Sequence, residues 1–263
     1  MSVPEQMTRR TYGNPPVHEA ILSLRFKREI PEKLLESAPE YLPLEVYGIP
    51  SRQNELTVQA AVGQGRSGFQ ADAKFGGWEF SADGRRWVTR VSRSDLSFHA
   101  LRPGGWPYEG YPGWEEIRGR YVRLLSDARE LFADQEIRRV GLRYVNRIAV
   151  PATDDINKWF AVTPAWPGIL DSQEMRTFTY HAAFVSVQNH EHLSATVRLG
   201  NANVEESLPA DLVGLILDVD IFNYRVDAAP SLGRAVDWFD EAHSVENQVF
   251  ESCITDDLRS RFE

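Results

Sequence analysis

Charged residues that are an even number of positions apart mark three segments of the chain as candidates for a binding surface. Side chains two residues apart on a β-strand point to the same side, so each segment would line up its charges on one face. Arginines in such a row hold a carboxylate or a phosphate well, and carboxylates between them orient the guanidinium groups. The residues are Glu19 and Arg25 in the first segment, Arg143 and Arg147 in the second, and Asp218 and Asp220 in the third.

Two interpretations of these charges stay open. If the three segments are neighbouring strands, the arginines and carboxylates could form cross-strand salt bridges that fix the register of the sheet. Alternatively, they could line a groove that binds an anionic group of a ligand or partner. In both cases the opposite side of each strand is apolar, as expected for a surface that packs under helices.

Asp218 and Asp220 also allow a catalytic alternative. Two carboxylates on one face can hold a divalent cation for metal-assisted phosphodiester cleavage. Glu19 is the one further carboxylate that the pattern offers, and the arginines favour neutralised over metal-bound carboxylates. His190 and His192 could begin a second metal site, but they lie in a turn-like stretch without a visible third ligand. We therefore predict no metal and no catalytic residue.

An aromatic stretch between residues 103 and 114 is a second candidate contact surface. Trp106 and Tyr108 lie among prolines and glycines, in a connection too irregular to bury both side chains locally. Rigid aromatic side chains in loops are typical interface anchors, although the same residues could pack into the core. For Tyr111 and Trp114 we favour the core, under the helix that follows.

The elements that would carry these residues follow from hydrophobic periodicity. Strands are predicted at Val17–Phe26, Leu56–Val62, Phe69–Ser81, Arg86–Leu101, Val140–Val150, Thr177–Gln188, Leu193–Leu199 and Leu212–Asn223. Helices are predicted at Pro31–Glu40, Trp114–Phe132, Asp155–Phe160 and Ala235–Phe262. We expect an α+β fold with a mainly antiparallel, curved sheet backed by long helices. The order suggests two similar β-α-β-β-β-α halves, residues 1–136 and 137–263, in one compact pseudo-symmetric unit.

Composition limits the class of protein. Of 263 residues, 42% are hydrophobic and 25% charged, which is typical of a globular chain. Neither a membrane span nor an apolar signal segment is visible, so we expect a cytoplasmic protein. The net charge of −9 argues against non-specific nucleic-acid binding. The acidic final third would attract a basic partner protein, and a homo-oligomer is compatible with the sequence.

Cofactor motifs are not found in the sequence. The chain has neither a phosphate-binding glycine loop nor a dinucleotide fingerprint nor a serine elbow, so we predict no cofactor. Its single cysteine, Cys253, excludes an intramolecular disulfide and is expected to be a buried apolar residue.

Four blocks of sequence resemble a bacterial protein family that is sporadically distributed and has no settled function. They are Asn-Pro-Pro-Val-His-Glu at 14–19 leading into Leu-Arg-Phe at 24–26, Gly-Leu-Arg-Tyr-Val-Asn-Arg-Ile at 141–148, Leu-Asp-Val-Asp at 217–220, and an ending with His243, Phe250 and Ile-Thr-Asp-Asp-Leu-Arg at 254–259. The resemblance covers almost the whole chain and implies no catalytic residue. A patchy distribution implies horizontal transfer, and with it a mobile toxin–antitoxin or phage-defence module as the setting.

We expect from these observations a non-catalytic interaction protein that engages a partner protein or an anionic ligand. The predicted contact residues are the six charged residues of the strands together with Trp106 and Tyr108. The alternative is a metal-dependent phosphodiesterase or nuclease that uses the Asp-x-Asp pair.

Overall fold

The computed structural model describes residues 10–63, 66–102, 110–163, 178–202, 208–223 and 225–263, with 56–73 and 228 described by their backbone alone. Within these residues the chain forms one open antiparallel sheet of nine strands and six α-helices, which confirms the α+β class. The strands are β1 (Val17–Phe26), β2 (Ile49–Gly63), β3 (Arg66–Ala82), β4 (Trp87–Ser92), β5 (Asp95–Leu101), β6 (Ile137–Pro151), β7 (Thr179–Phe184), β8 (Leu193–Asn201) and β9 (Leu212–Asn223). The helices are α1 (Glu32–Glu36), α2 (Ala38–Tyr41), α3 (Leu44–Tyr47), α4 (Trp114–Asp127), α5 (Ala235–Cys253) and α6 (Asp256–Arg259).

The strand order across the sheet is β2-β3-β4-β5-β1-β6-β9-β8-β7. The three segments with alternating charges, β1, β6 and β9, are therefore consecutive in the sheet. Their pairing is long-range, since β1 and β6 are separated by more than a hundred residues. This adjacency brings the predicted contact residues onto one surface.

Alternation along the strands divides the sheet into an apolar side and a charged side. On β1, Ala20, Leu22 and Leu24 are fully buried on the apolar side. The helices α4 and α5 cover that side, where the Tyr121 ring of α4 lies 4.9 Å from the Phe239 ring of α5. Burial of apolar area between the helices and the sheet is the main stabilising contribution here.

One predicted strand proved to be two. The stretch Arg86–Leu101 forms β4 and β5, which pair with each other across a reversal at residues 93–94. The Ser92 hydroxyl accepts a hydrogen bond from the Asp95 amide at 3.1 Å and closes this turn. Serine and aspartate are common in tight turns for this reason, but this turn was not predicted from the sequence. Residues 1–136 consequently contribute five strands and residues 137–263 contribute four.

The helices are shorter than predicted. Instead of one helix over Pro31–Glu40 the chain forms α1 and α2, and α4 ends at Asp127. The helix predicted over Ala235–Phe262 ends at Cys253, because Ile254 is extended and pairs with Phe160 as an isolated bridge. Thr255 then caps α6 by accepting from the Leu258 amide. None of the helices in the described ranges is long and apolar enough to cross a membrane.

Candidate functional site: the charged side of the sheet

The charged side of the sheet, called the polar face below, is built by five adjacent strands, β5, β1, β6, β9 and β8. In their register Arg143 lies opposite Asp220, and Asp218 lies between Val145 and Arg198. The ionisable residues of the polar face are Glu19, Arg25, Asp95, His99, Arg139, Arg143, Arg147, Arg198, Asp218 and Asp220. All lie on paired strands, and the register of these strands fixes the positions of their backbones relative to one another.

Asp218 is the centre of the polar face. Its carboxylate accepts two hydrogen bonds of 2.7 Å from Arg143, through Nε and one terminal nitrogen. Arg198 donates a third, of 3.1 Å. The aspartate is 4% exposed, whereas the side chains of Arg143 and Arg198 are 40% and 43% exposed. A buried carboxylate thus holds two guanidinium groups whose outer edges face solvent.

Asp220 forms a separate pair with Arg139, at 2.9 Å. Burial raises the pKa of Asp220, and the neighbouring Arg139 and Arg143 only partly oppose this effect. The Arg139 guanidinium lies over the Phe222 ring at 4.7 Å. A Cβ atom at Gly141 would come within 2.6 Å of that guanidinium, so the glycine leaves room for it.

Two further pairs complete the polar face towards β5. Arg25 contacts Asp95 at 2.7 Å, and Glu19 lies 2.8 Å from Nδ1 of His99. Burial by itself would raise the pKa of Glu19, but the hydrogen bond and charge of His99 lower it. Ser97 in turn lies 3.0 Å from the other ring nitrogen of His99.

Arg147 differs from these arginines. It is half-buried on the polar face, opposite Ile216, and its guanidinium has no ion pair within the described part of the chain. Asp218 pairs with Arg143 and Arg198, and Asp220 pairs with Arg139. Of the arginines of β6 and β8 on this face, Arg147 is thus the one that has no carboxylate partner among the described residues.

The six charged residues predicted from the sequence all lie on the polar face. Their carboxylates are engaged by arginine or histidine side chains, and among the described residues no group of three His, Cys, Asp or Glu side chains could hold a metal ion. Trp106 and Tyr108 lie outside the described residues, so their role as contacts stays a prediction.

His190 and His192, considered above as a possible start of a metal site, contact α5. Their ring nitrogens lie 2.7 Å and 3.1 Å from the two carboxylate oxygens of Glu241. Although burial would raise the pKa of Glu241, these two contacts lower it. The pair therefore connects the turn before β8 to the helix side of the molecule.

Sequence reasoning missed three residues that complete the network, Asp95, His99 and Arg198. A signal for the first two was present, because β5 places Asp95, Ser97 and His99 at alternate positions between apolar residues. Arg198 is the single charge in its strand, and its partner could not be identified without the order of the strands.

No protein-family model matches the chain, and no curated protein sequence matches it. The function is therefore inferred from the geometry of the polar face.

Proposed function

We propose that the protein is a non-catalytic binding protein whose polar face engages an anionic group of a partner protein. The observation that carries this proposal is the Arg147 guanidinium, which has no ion pair among the described residues, on a face where the other arginines, Arg25, Arg139, Arg143 and Arg198, each contact a carboxylate. An incoming carboxylate or phosphate would supply Arg147 with an ion-pair partner.

The neighbours of Arg147 support the same chemistry. Arg143 and Arg198 are oriented by Asp218, which leaves their solvent-exposed edges free to donate. Because Asp218 holds the Arg143 and Arg198 side chains in place, these two would lose little side-chain entropy on binding. A free anionic ligand would use the same groups and is the alternative occupant. Trp106 and Tyr108 stay predicted contacts of the partner.

The geometry gives less support to a metal-dependent phosphodiesterase. Such an enzyme needs oxygens of Asp218 and Asp220 as metal ligands. Both oxygens of Asp218 already accept from arginine, and Asp220 accepts from Arg139. A cation would have to displace these guanidinium groups first. The mobile toxin–antitoxin or phage-defence module implied by the family resemblance is the setting in which we place the partner.

We also propose that residues 1–136 and 137–263 are two related halves. In support, β1 and β6, the first strand of each half, pair at the centre of the sheet. Each has the last strand of its own half, β5 or β9, on its outer side, and each of those strands is followed in sequence by a long helix. A pseudo-two-fold axis between β1 and β6 would exchange these neighbours.

Quantitative affinity capture tests the binding function. Immobilised wild-type protein, Arg147→Glu and Arg138→Glu are incubated with a lysate of the bacterium that carries the gene, and retained proteins are measured by mass spectrometry. Arg138 is the matched control, since it is an exposed arginine of the same strand, outside the polar face. We expect a partner that wild type and Arg138→Glu retain and Arg147→Glu loses. Equal retention by all three proteins, or no retained partner, would contradict the proposal.

A further inference from the structure

The strand β7 lies at one edge of the sheet and extends the polar face by one strand. Its His181 is opposite Arg198 of β8, and Arg198 is opposite Asp218 of β9, so all three residues lie on the same side of the sheet. The β7 residues on this side, Thr179, His181 and Ala183, are all exposed. A partner bound to the polar face would therefore have access to the outer edge of β7.

This outer edge carries unpaired backbone groups. The Asn201 amide donates to the Phe178 carbonyl oxygen, which makes these two residues a hydrogen-bonded pair. Because such pairs alternate along an antiparallel ladder, the N–H and C=O groups of Thr179, His181 and Ala183 point away from β8. Among the described strands, none pairs with this edge. The edge thus offers the ladder hydrogen bonds of one further strand.

The residues of β7 do not hinder such pairing. Its sequence, Thr-Tyr-His-Ala-Ala-Phe, has no proline, lysine, arginine or carboxylate, the residues that usually prevent edge strands from pairing with other chains. The strand at the opposite edge, β2, has Pro50, Arg52 and Glu55. At the end of β7, Phe184 and Val185 are 50% and 64% exposed. The outer edge of β7 is therefore suited to pairing with a strand that also buries apolar side chains.

The charges beside the edge indicate the class of partner. Asp218 is shared by Arg143 and Arg198, so these two guanidinium groups keep one positive charge in excess. Adjacent strands lie about 4.8 Å apart, and a carboxylate opposite His181 would be within reach of the longer Arg198 side chain as well. A second copy of β7 would bring no carboxylate, and it would add a second Arg198 to the same surface. Charge complementarity therefore favours an acidic segment over self-association.

We propose that a partner protein adds an extended segment to the outer edge of β7, with a glutamate or aspartate opposite His181 that bonds the Arg198 guanidinium. Main-chain hydrogen bonds would hold the segment, and the carboxylate would select it. Apolar residues at the alternate positions would contact Phe184 on the other side of the sheet. The inference rests on the proposed binding function for the acidic character of the partner, and it adds how that partner is held.

Two designed peptides test this inference without the natural partner. The acidic peptide, Thr-Val-Glu-Val-Glu-Val-Thr with fluorescein at its N-terminus, alternates carboxylates and valines, and the basic peptide has lysine in place of both glutamates. Fluorescence anisotropy would give their dissociation constants for wild type, Ala183→Pro, Ala183→Ser and His181→Glu. Ala183→Pro removes one outward N–H without breaking a bond to β8. Its matched control, Ala183→Ser, keeps that N–H, and His181→Glu puts a carboxylate where that of the peptide should lie.

We expect wild type and Ala183→Ser to bind the acidic peptide at least about tenfold more tightly than the basic peptide, as a charge-assisted hydrogen bond would give. Ala183→Pro should weaken the acidic peptide at least about tenfold, because it loses a ladder bond. His181→Glu should abolish the preference for the acidic peptide. If Ala183→Pro does not fold by circular dichroism, the two peptides and His181→Glu decide alone.

Four results would overturn the inference. They are no binding of the acidic peptide, equal binding of both peptides to wild type, unchanged binding to a folded Ala183→Pro, and a wild-type dimer that Ala183→Pro converts to a monomer in sedimentation, which would assign the edge to a second copy. None of them depends on affinity capture. A captured partner that Arg147→Glu loses would leave the proposed function standing even if the peptides fail.

Discussion

Asp218 and Glu246 are buried to the same extent, each with 4% exposure, but on opposite sides of the sheet. The Asp218 carboxylate accepts three hydrogen bonds from two arginines. Glu246, on α5, has no hydrogen bond to any described residue, and burial with the nearby Glu251 raises its pKa to about 8. Equal burial is therefore met in two ways: arginines donate to the Asp218 carboxylate, whereas the pKa of Glu246 is raised because burial disfavours its charged form.

The contrast extends to the neighbours of both residues. On the polar face nearly every charge has a partner, and Arg147, which has no ion pair among the described residues, is the exception on which the proposed binding function rests. On the helix side unpaired polar atoms are more frequent, since the buried Tyr121 hydroxyl and the Trp238 indole nitrogen also have no partner among the described residues.

The largest expected effect concerns Glu246 and pH. Its pKa is about 8 in the folded state and near 4.5 in the unfolded chain, so between these values the folded state binds more protons. The free energy of unfolding should therefore fall as pH rises from about 5 to 9. At pH 9 we expect Glu246→Gln to exceed wild type in stability by on the order of a few kcal/mol. Urea denaturation across this range measures the effect.

The control for this series is Glu130→Gln, at an exposed glutamate. It should leave the pH dependence of stability as it is in wild type. A wild-type protein whose stability does not fall between pH 5 and 9 would show that Glu246 is not a buried neutral acid.

Arg143→Ala should give the next largest effect. It removes two of the three hydrogen bonds to Asp218 and leaves a buried carboxylate with Arg198 alone. Loss of a partner from a buried pair costs 3–5 kcal/mol, and the partial exposure of Arg143 reduces this to about 2 kcal/mol. Arg138→Ala should change the free energy of unfolding by less than about 0.5 kcal/mol. If the two variants unfold at similar urea concentrations, the pair of Arg143 with Asp218 does not stabilise the fold.

A smaller effect of opposite sign is expected on the helix side. Gly119→Ala should raise the free energy of unfolding by roughly 0.5–1 kcal/mol, because alanine is the better helix former and its methyl group enters open space. Thermal denaturation would show the gain as a higher melting temperature. A loss of stability would mean that the space beside Gly119 is occupied in the folded protein.

Much of the polar face could be predicted from alternation alone. In β1, β6 and β9 a period of two was enough to separate Arg143 and Asp218 from the apolar core, because the pleat fixes the side on which each residue lies. Which charges pair depends on strand order, and strands far apart in sequence pair through tertiary packing. Arg25 therefore contacts Asp95 and Glu19 contacts His99, pairings that no local pattern in the sequence contains.

A cavity on the helix side of the sheet could not be predicted in the same way. Thr89 is a single polar residue in a strand, and Gly119 is a single glycine in a helical stripe, and each is unremarkable by itself. Both line the same cavity of about 400 Å³ between α3, α4, β4 and β5, and this juxtaposition is a property of the packed structure. Sequence could identify both as locally unfavourable residues, but it could not bring them together.

Substitution of Arg147 tests the central claim, which is that Arg147 binds the partner whereas the arginines paired within the described residues stabilise the fold. Arg147→Ala should change the free energy of unfolding by less than about 0.5 kcal/mol, because it breaks no ion pair within the described chain. The deciding measurement is the dissociation constant of the partner found by affinity capture, determined by calorimetry for wild type, Arg147→Ala and Arg138→Ala. We expect about a tenfold increase for Arg147→Ala, as loss of one charge-assisted hydrogen bond would give, and less than about a twofold change for Arg138→Ala. An unchanged dissociation constant for Arg147→Ala would contradict the account.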